Sequence, residues 1–150
     1  MELCERLIEH WRAQGLQILR GCSDAQLANV ERKFSFRFPP DFRACYLATD
    51  GMGPPEQDKT GFSFWHLDRI QRADIALREA GAHVIPLGAE GYFAFADYLD
   101  WSWAYAIRLT ESTTENSIVL IGKERLDVVA RSFSDFVELY LSDSPQLYGT

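Results

Sequence analysis

The sequence is poor in the residues that mark specialised chain types. Cysteine is scarce: Cys4, Cys22 and Cys45 are odd in number and form no Cys-x-x-Cys pair, which excludes a disulfide framework and a zinc-finger spacing. They read as small buried hydrophobes of a protein kept in a reducing compartment. Long hydrophobic runs are missing too. No stretch approaches the roughly 18 apolar residues of a membrane span, and the opening Met-Glu-Leu-Cys-Glu-Arg lacks the basic start and apolar run of a signal peptide. A cytoplasmic location and no membrane partner are expected. Positive charge is thin beyond the first third: residues 1–50 carry seven Lys/Arg against seven Asp/Glu, whereas residues 51–150 carry eight against fifteen, so the whole formal charge of −7 arises there. An acidic surface repels phosphate backbones, so nucleic acid is not expected as a partner, while a basic protein is admitted.

Catalytic motifs are equally absent. There is no Gly-x-Ser-x-Gly elbow, His-Glu-x-x-His helix, Walker loop or EF-hand loop. Gly51-Met52-Gly53 runs into Pro54-Pro55, where a dinucleotide loop needs free N–H groups, and Gly122-Lys123 is followed by Glu124, where a phosphate loop needs Ser or Thr. His10, His66 and His83 fall in separate elements without ligand spacing; only His66, near Asp68, stands as a base to test. The expectation is no enzyme, no cofactor and no metal.

What is present is an ordinary globular composition, 47% hydrophobic and 13% aromatic over 150 residues, in one domain spanning 1–150. A chain of this size buries about 68–70% of its unfolded surface without staples. Leu3, Leu7, Ile8 and Trp11 recur at helical spacing, predicting a helix over 2–13 that ends at Gly15. Ser23 with Gln26 makes a capping box for a helix carrying Leu27, Val30 and Phe34. Pro39-Pro40 with Asp41 starts a third, striped by Phe42, Cys45 and Tyr46 and stopped at Asp50-Gly51. Residues 51–61 hold three Gly and two Pro and read as an exposed loop.

Phe62 to Trp65 then reads as a short strand. Ile70, Ala73, Leu77 and Ala80 predict a helix closing at Gly81, and His83 to Leu87 a strand limited by Pro86. From Gly91 the period becomes two: Phe93 and Phe95, then Trp101, Trp103, Tyr105, Ile107 and Leu109, alternate with small or polar residues around a turn at Tyr98-Leu99-Asp100. Ile118 to Ile121 and Leu126 to Ala130 complete an antiparallel meander. Ser132 with Asp135 caps a last helix through Leu141, and residues 142–150 are expected to form a loose tail. Helices, strands, then a helix predict an α+β domain with helices on one face of an antiparallel sheet.

Two patterns suggest a site. Asp97 and Asp100, three apart at a turn, resemble the carboxylate pair of a glycoside hydrolase, with Trp101 and Trp103 as a sugar platform. Alternatively, the stretch from Arg78 to Arg108 has no internal Lys or Arg and sets Glu79, Glu90, Asp97 and Asp100 among Tyr92, Tyr98, Trp101 and Tyr105. Such a patch steers a basic partner and anchors it with aromatics.

The run Val30-Glu31-Arg32-Lys33-Phe34 through Phe38-Pro39-Pro40-Asp41-Phe42-Arg43-Ala44-Cys45-Tyr46-Leu47, closing at Asp50-Gly51, resembles the signature of the SUKH superfamily. These are Smi/Knr-like domains of fungal cell-wall regulators and bacterial toxin-immunity proteins. Ile85-Pro86-Leu87-Gly88 and Val129-Ala130-Arg131-Ser132-Phe133-Ser134-Asp135-Phe136 resemble its later blocks. Asp50 stands where Asn is commoner, and Pro39-Pro40 replaces a single Pro. The resemblance implies an α+β fold without catalytic residues that, in a bacterial member, binds and neutralises a cognate toxin, often a nuclease. The alternative it implies is a regulatory adaptor. Charge and loop position select Glu56, Asp58, Glu90, Asp97 and Asp100 as candidate contacts for a basic toxin domain.

Overall fold

A computed structural model describes residues 2–148. The helices are α1 (Leu3–Ala13), α2 (Asp24–Phe34), α3 (Pro40–Ala48), α4 (Ala73–Glu79) and α5 (Phe133–Leu141). The strands are β1 (Phe62–Phe64), β2 (Gln71–Arg72), β3 (Tyr92–Tyr98), β4 (Trp103–Arg108), β5 (Ile118–Ile121) and β6 (Asp127–Ala130). Local chemistry explains the boundaries. Ser23 and Gln26 form the reciprocal capping box of α2, Pro40 opens α3, and the Ser132 hydroxyl accepts from the Asp135 N–H at the start of α5.

The strands form one antiparallel sheet in the order β1-β3-β4-β5-β6, with β2 also beside β3. Ala94 faces Ala106 and Ala96 faces Tyr105, so β3 carries one residue more than β4 across this step. This bulge puts Phe93, Phe95 and Ala96 on the same side, with Ile107 and Tyr105. There they meet α1, α3 and α5 in an aromatic core that fully buries Trp11, Phe42, Phe62, Phe133 and Phe136. The Phe42 ring lies 4.8 Å from both Tyr46 and Phe133, and each such pair adds about 0.5–1.5 kcal/mol beyond burial.

The opposite face is lined by Ala94, Ala104, Ala106, Val119 and Ile121, and α4 lies on it through Ala73, Ala76 and Leu77. The helices therefore do not all share one face, in contrast to the expectation from sequence: side chains this small leave a shallow surface that a two-turn helix can cover. Three further expectations change. His83 to Leu87 is irregular and not a strand, because Pro86 has no N–H for a ladder and Leu87 stands 99% exposed. The helix predicted from Ile70 begins at Ala73, since Gln71 and Arg72 pair with Ala94 and Phe93. Finally, the tail is packed through Tyr148. Leu147 is fully buried in a 3-10 turn over Pro145–Tyr148, its carbonyl accepts from the Tyr105 hydroxyl at 2.8 Å, and Gln146 Nε2 donates to Val129 O at 3.1 Å. Residues 149–150 lie outside the described part. Among the described residues no helix is long and apolar enough to cross a membrane.

Candidate functional site

The bulge in β3 decides where the site forms. Strict alternation would place Asp97 beside Phe93 and Phe95 in the aromatic core; the extra residue turns it to the alanine face, opposite Ala104. There it meets Trp65, which follows β1 and is held by its N–H on Phe95 O at 2.8 Å and its carbonyl under the Tyr46 hydroxyl at 2.5 Å. Trp65 Nε1 donates to Asp97 Oδ2 at 2.7 Å. Arg69, at the end of the turn Leu67–Arg69, lays its guanidinium 3.9 Å from the centre of the Trp65 ring and brings Nη2 to 3.7 Å from the same Asp97 oxygen. Trp101 closes the group, its ring 5.8 Å from that of Trp65.

Two hollows share Arg69 and Trp101 as a common wall. One, of about 410 Å³, is lined by Pro55, Glu56, Gln57, Ser63, Asp97 and Asp100; the other, of about 370 Å³, by Trp65, Gln71, Ala76, Glu79 and Ala80. Four carboxylates thus face a single cation. The wall bearing Trp101 is a reversal in which Leu99, Asp100 and Trp101 all take positive φ, 47°, 51° and 70°. Non-glycine residues pay about 1–2 kcal/mol each for that conformation, and such departures gather at ligand sites. The turn is held by Leu99 N–H on Gly61 O at 2.9 Å, Ser102 N–H on Tyr98 O at 2.9 Å, and Gln57 Nε2 on Asp100 Oδ1 at 3.4 Å. Gly61 itself has φ +100°, a conformation that strains any side chain, and a Cβ there would also push the Leu99 side chain aside from 2.6 Å, so glycine suits the position beneath the turn.

Of the five acids selected from sequence, the structure brings together Glu56, Asp97 and Asp100. Asp97 is the floor rather than the rim, being buried. Asp58 does not join them and is not a surface contact: it is buried, with Oδ1 accepting from Thr60 N, Thr60 Oγ1 and Phe62 N at 2.8–3.0 Å and Oδ2 accepting from the Tyr140 hydroxyl. Its carboxylate organises the 51–61 loop. Glu90 is exposed but precedes β3, whereas Asp97 and Asp100 lie at its far end. The aromatic patch is also divided. Tyr105 is fully buried and Tyr98 stacks on Trp103 at 4.8 Å within the aromatic core, while Trp101 lies on the other face. Trp101 and Trp103 therefore make no joint platform. His66 Nε2 sits 3.5 Å from Glu56 Oε1 and 3.3 Å from Met52 O. Sequence reasoning missed Trp65, Arg69 and their stack, for which a spacing of four residues was the only signal.

The signature residues do other work. Glu31 accepts from Phe38 N at 2.8 Å and from Arg43 Nη1 at 3.1 Å, pinning the chain between α2 and α3. Asp41 Oδ2 accepts from both Ser134 N and Ser134 Oγ at 2.8 Å, so a residue of α3 caps the first turn of α5. Asp50 Oδ1 accepts from Leu67 N at 2.8 Å and from Cys22 Sγ at 3.2 Å. Burial first, and this carboxylate second, push the Cys22 thiol up to about 12. The model of the SMI1/KNR4 family (SUKH-1) matches residues 21–139, a segment that contains every one of these bonds. The chain belongs to this family. No curated protein matches it. In SMI1/KNR4 terms the matched segment runs from just before α2 into α5, and α1 and the packed tail lie outside it. These residues thus hold the fold, and the Trp65–Arg69–Trp101 groove rests on that frame.

Proposed function

We propose that this chain is a non-catalytic binding domain of the immunity type, which holds a cognate toxin by a basic face and so neutralises it. The observation that carries the reading is the groove, where Glu56, Glu79, Asp97 and Asp100 face one cation, Arg69, on a chain of formal charge −7. Nucleases present basic clefts to phosphate backbones, and an acidic domain competes for such a cleft while steering fast association. Glu56 and Asp100 are exposed rim contacts, and Glu90 forms a separate acidic point at the other end of β3. The reading of a domain without catalysis is supported by the commitments of the acids: Asp97 Oδ2 accepts from an indole N–H, and Asp41 and Asp50 accept from backbone N–H groups. We place the domain in the cytoplasm with its partner.

The test is capture of partners from the native organism's lysate with this protein as bait, washed at low and then high salt and identified by mass spectrometry. One dominant basic partner, released by salt and lost from a Glu56→Lys/Asp100→Lys bait, is expected. Several cellular proteins retained regardless of salt would replace this reading with that of a regulatory adaptor.

A further inference from the structure

We propose that the groove is an arginine site, in which a side chain of the basic partner takes over the position that Arg69 holds on Trp65. This rests on the binding reading above and names the chemistry of its anchor. Arg69 is arranged as a bound guanidinium would be, over the indole ring at 3.9 Å and beside a carboxylate, yet the ion pair is open at 3.7 Å and the side chain remains 49% exposed. It covers the ring without being locked there.

Trp65, only 2% exposed, needs a cover on that face, so replacing one planar cation by another conserves the burial. Released Arg69 returns to water with little loss. The floor supplies an acceptor for the newcomer. Asp97 lines the larger hollow with a side chain 7% exposed; the indole N–H takes its Oδ2, and its Oδ1 accepts from no group among the described residues. Asp100 and Glu56 offer further oxygens at the rim, and Trp101 gives a second aromatic wall. A planar fork that stacks and donates in pairs suits this set, whereas the compact, strongly hydrated ammonium of lysine does not stack as well. Four carboxylates against one cation repel an acidic ligand.

The experiment follows the Trp65 indole N–H signal by NMR while the full chain is titrated with tetra-arginine at low salt, with tetra-lysine as control. Tetra-arginine should shift that signal and bind more tightly than tetra-lysine. Trp101→Ala and Asp97→Asn should each weaken it by about five- to tenfold, as expected for a lost cation–π or charged contact. Arg69→Gln should strengthen it, because the place is vacated. Weaker binding by Arg69→Gln, equal binding of tetra-lysine, or no effect of Trp101→Ala in a chain that folds normally would overturn the proposal. The same variants in the lysate capture separate the two readings. A toxin held as well by Trp101→Ala as by the parent chain, but lost from Glu56→Lys/Asp100→Lys, removes the arginine anchor and leaves the binding function standing. Capture of no toxin, with tetra-arginine still seated on Trp65, does the reverse.

Discussion

Trp65 and Asp97, 32 residues apart in sequence, are joined by an indole N–H donating to Oδ2 at 2.7 Å, and this bond ties the end of β1 to β3 just past its bulge. Asp97→Ala strands the buried indole N–H, which should cost about 1–3 kcal/mol of stability. Asp97→Asn keeps an acceptor oxygen and should cost less. Urea unfolding followed by tryptophan fluorescence reads the difference as a lower midpoint with an unchanged slope for the alanine variant.

Asp58 gives a contrasting expectation. Its carboxylate gathers two donors of Thr60, the Phe62 N–H that opens β1 and the Tyr140 hydroxyl, so Asp58→Ala should destabilise by at least about 1–3 kcal/mol through donors left without a partner. Tyr140→Phe removes one of those bonds and also the acceptor of Trp11 Nε1. If Asp58→Ala instead left the melting temperature unchanged while weakening partner capture, the residue would be a surface contact after all.

Acid stability should depend on Asp74. The hydrogen-bonded Arg72 guanidinium, with Arg78 adding a smaller effect, holds this carboxyl below the ordinary range. A carboxyl lowered in the folded state contributes stability that is full above the unfolded value, near about 4, and is lost as pH falls through the folded one. Asp74→Asn should therefore be less stable than the parent chain at neutral pH, and the gap should narrow as pH is taken below about 4. Thermal melts between neutral and strongly acidic pH check this, and a gap independent of pH would contradict it.

The places where the sequence was readable and where it was not have physical causes. Helix starts were legible because Ser23, Pro40 and Ser132 act within one turn of themselves. The strand faces were legible up to Ala94, because a period of two needs only neighbours. The bulge was not, since one extra residue on β3 depends on its partner strand, and it turns Asp97 away from the face of Phe93 and Phe95. The groove shares that cause: Trp65, Arg69 and Trp101 come from a strand end, a turn and a left-handed reversal that only the assembled sheet sets side by side. The packed tail escaped notice because its anchor, Leu147, has no periodic neighbours to mark it as core.

That anchor yields the last prediction. Leu147 is fully buried in the aromatic core, and its carbonyl is the acceptor of the Tyr105 hydroxyl, so the tail both fills space and pairs a buried polar group. Leu147→Ala should cost about 2–5 kcal/mol through the cavity it leaves. Truncation after Ser142 should do at least as much harm, because it also frees the Tyr105 hydroxyl and removes Tyr148 from its contacts with Phe62 and Tyr98. The Trp65 pocket lies on the other face of the sheet, so a truncated chain that still folds should keep its Trp65 indole N–H signal in place. Calorimetry with NMR of the indole region tests both halves. A tail that could be removed without lowering the melting temperature would show that 143–148 adds nothing to the core it covers.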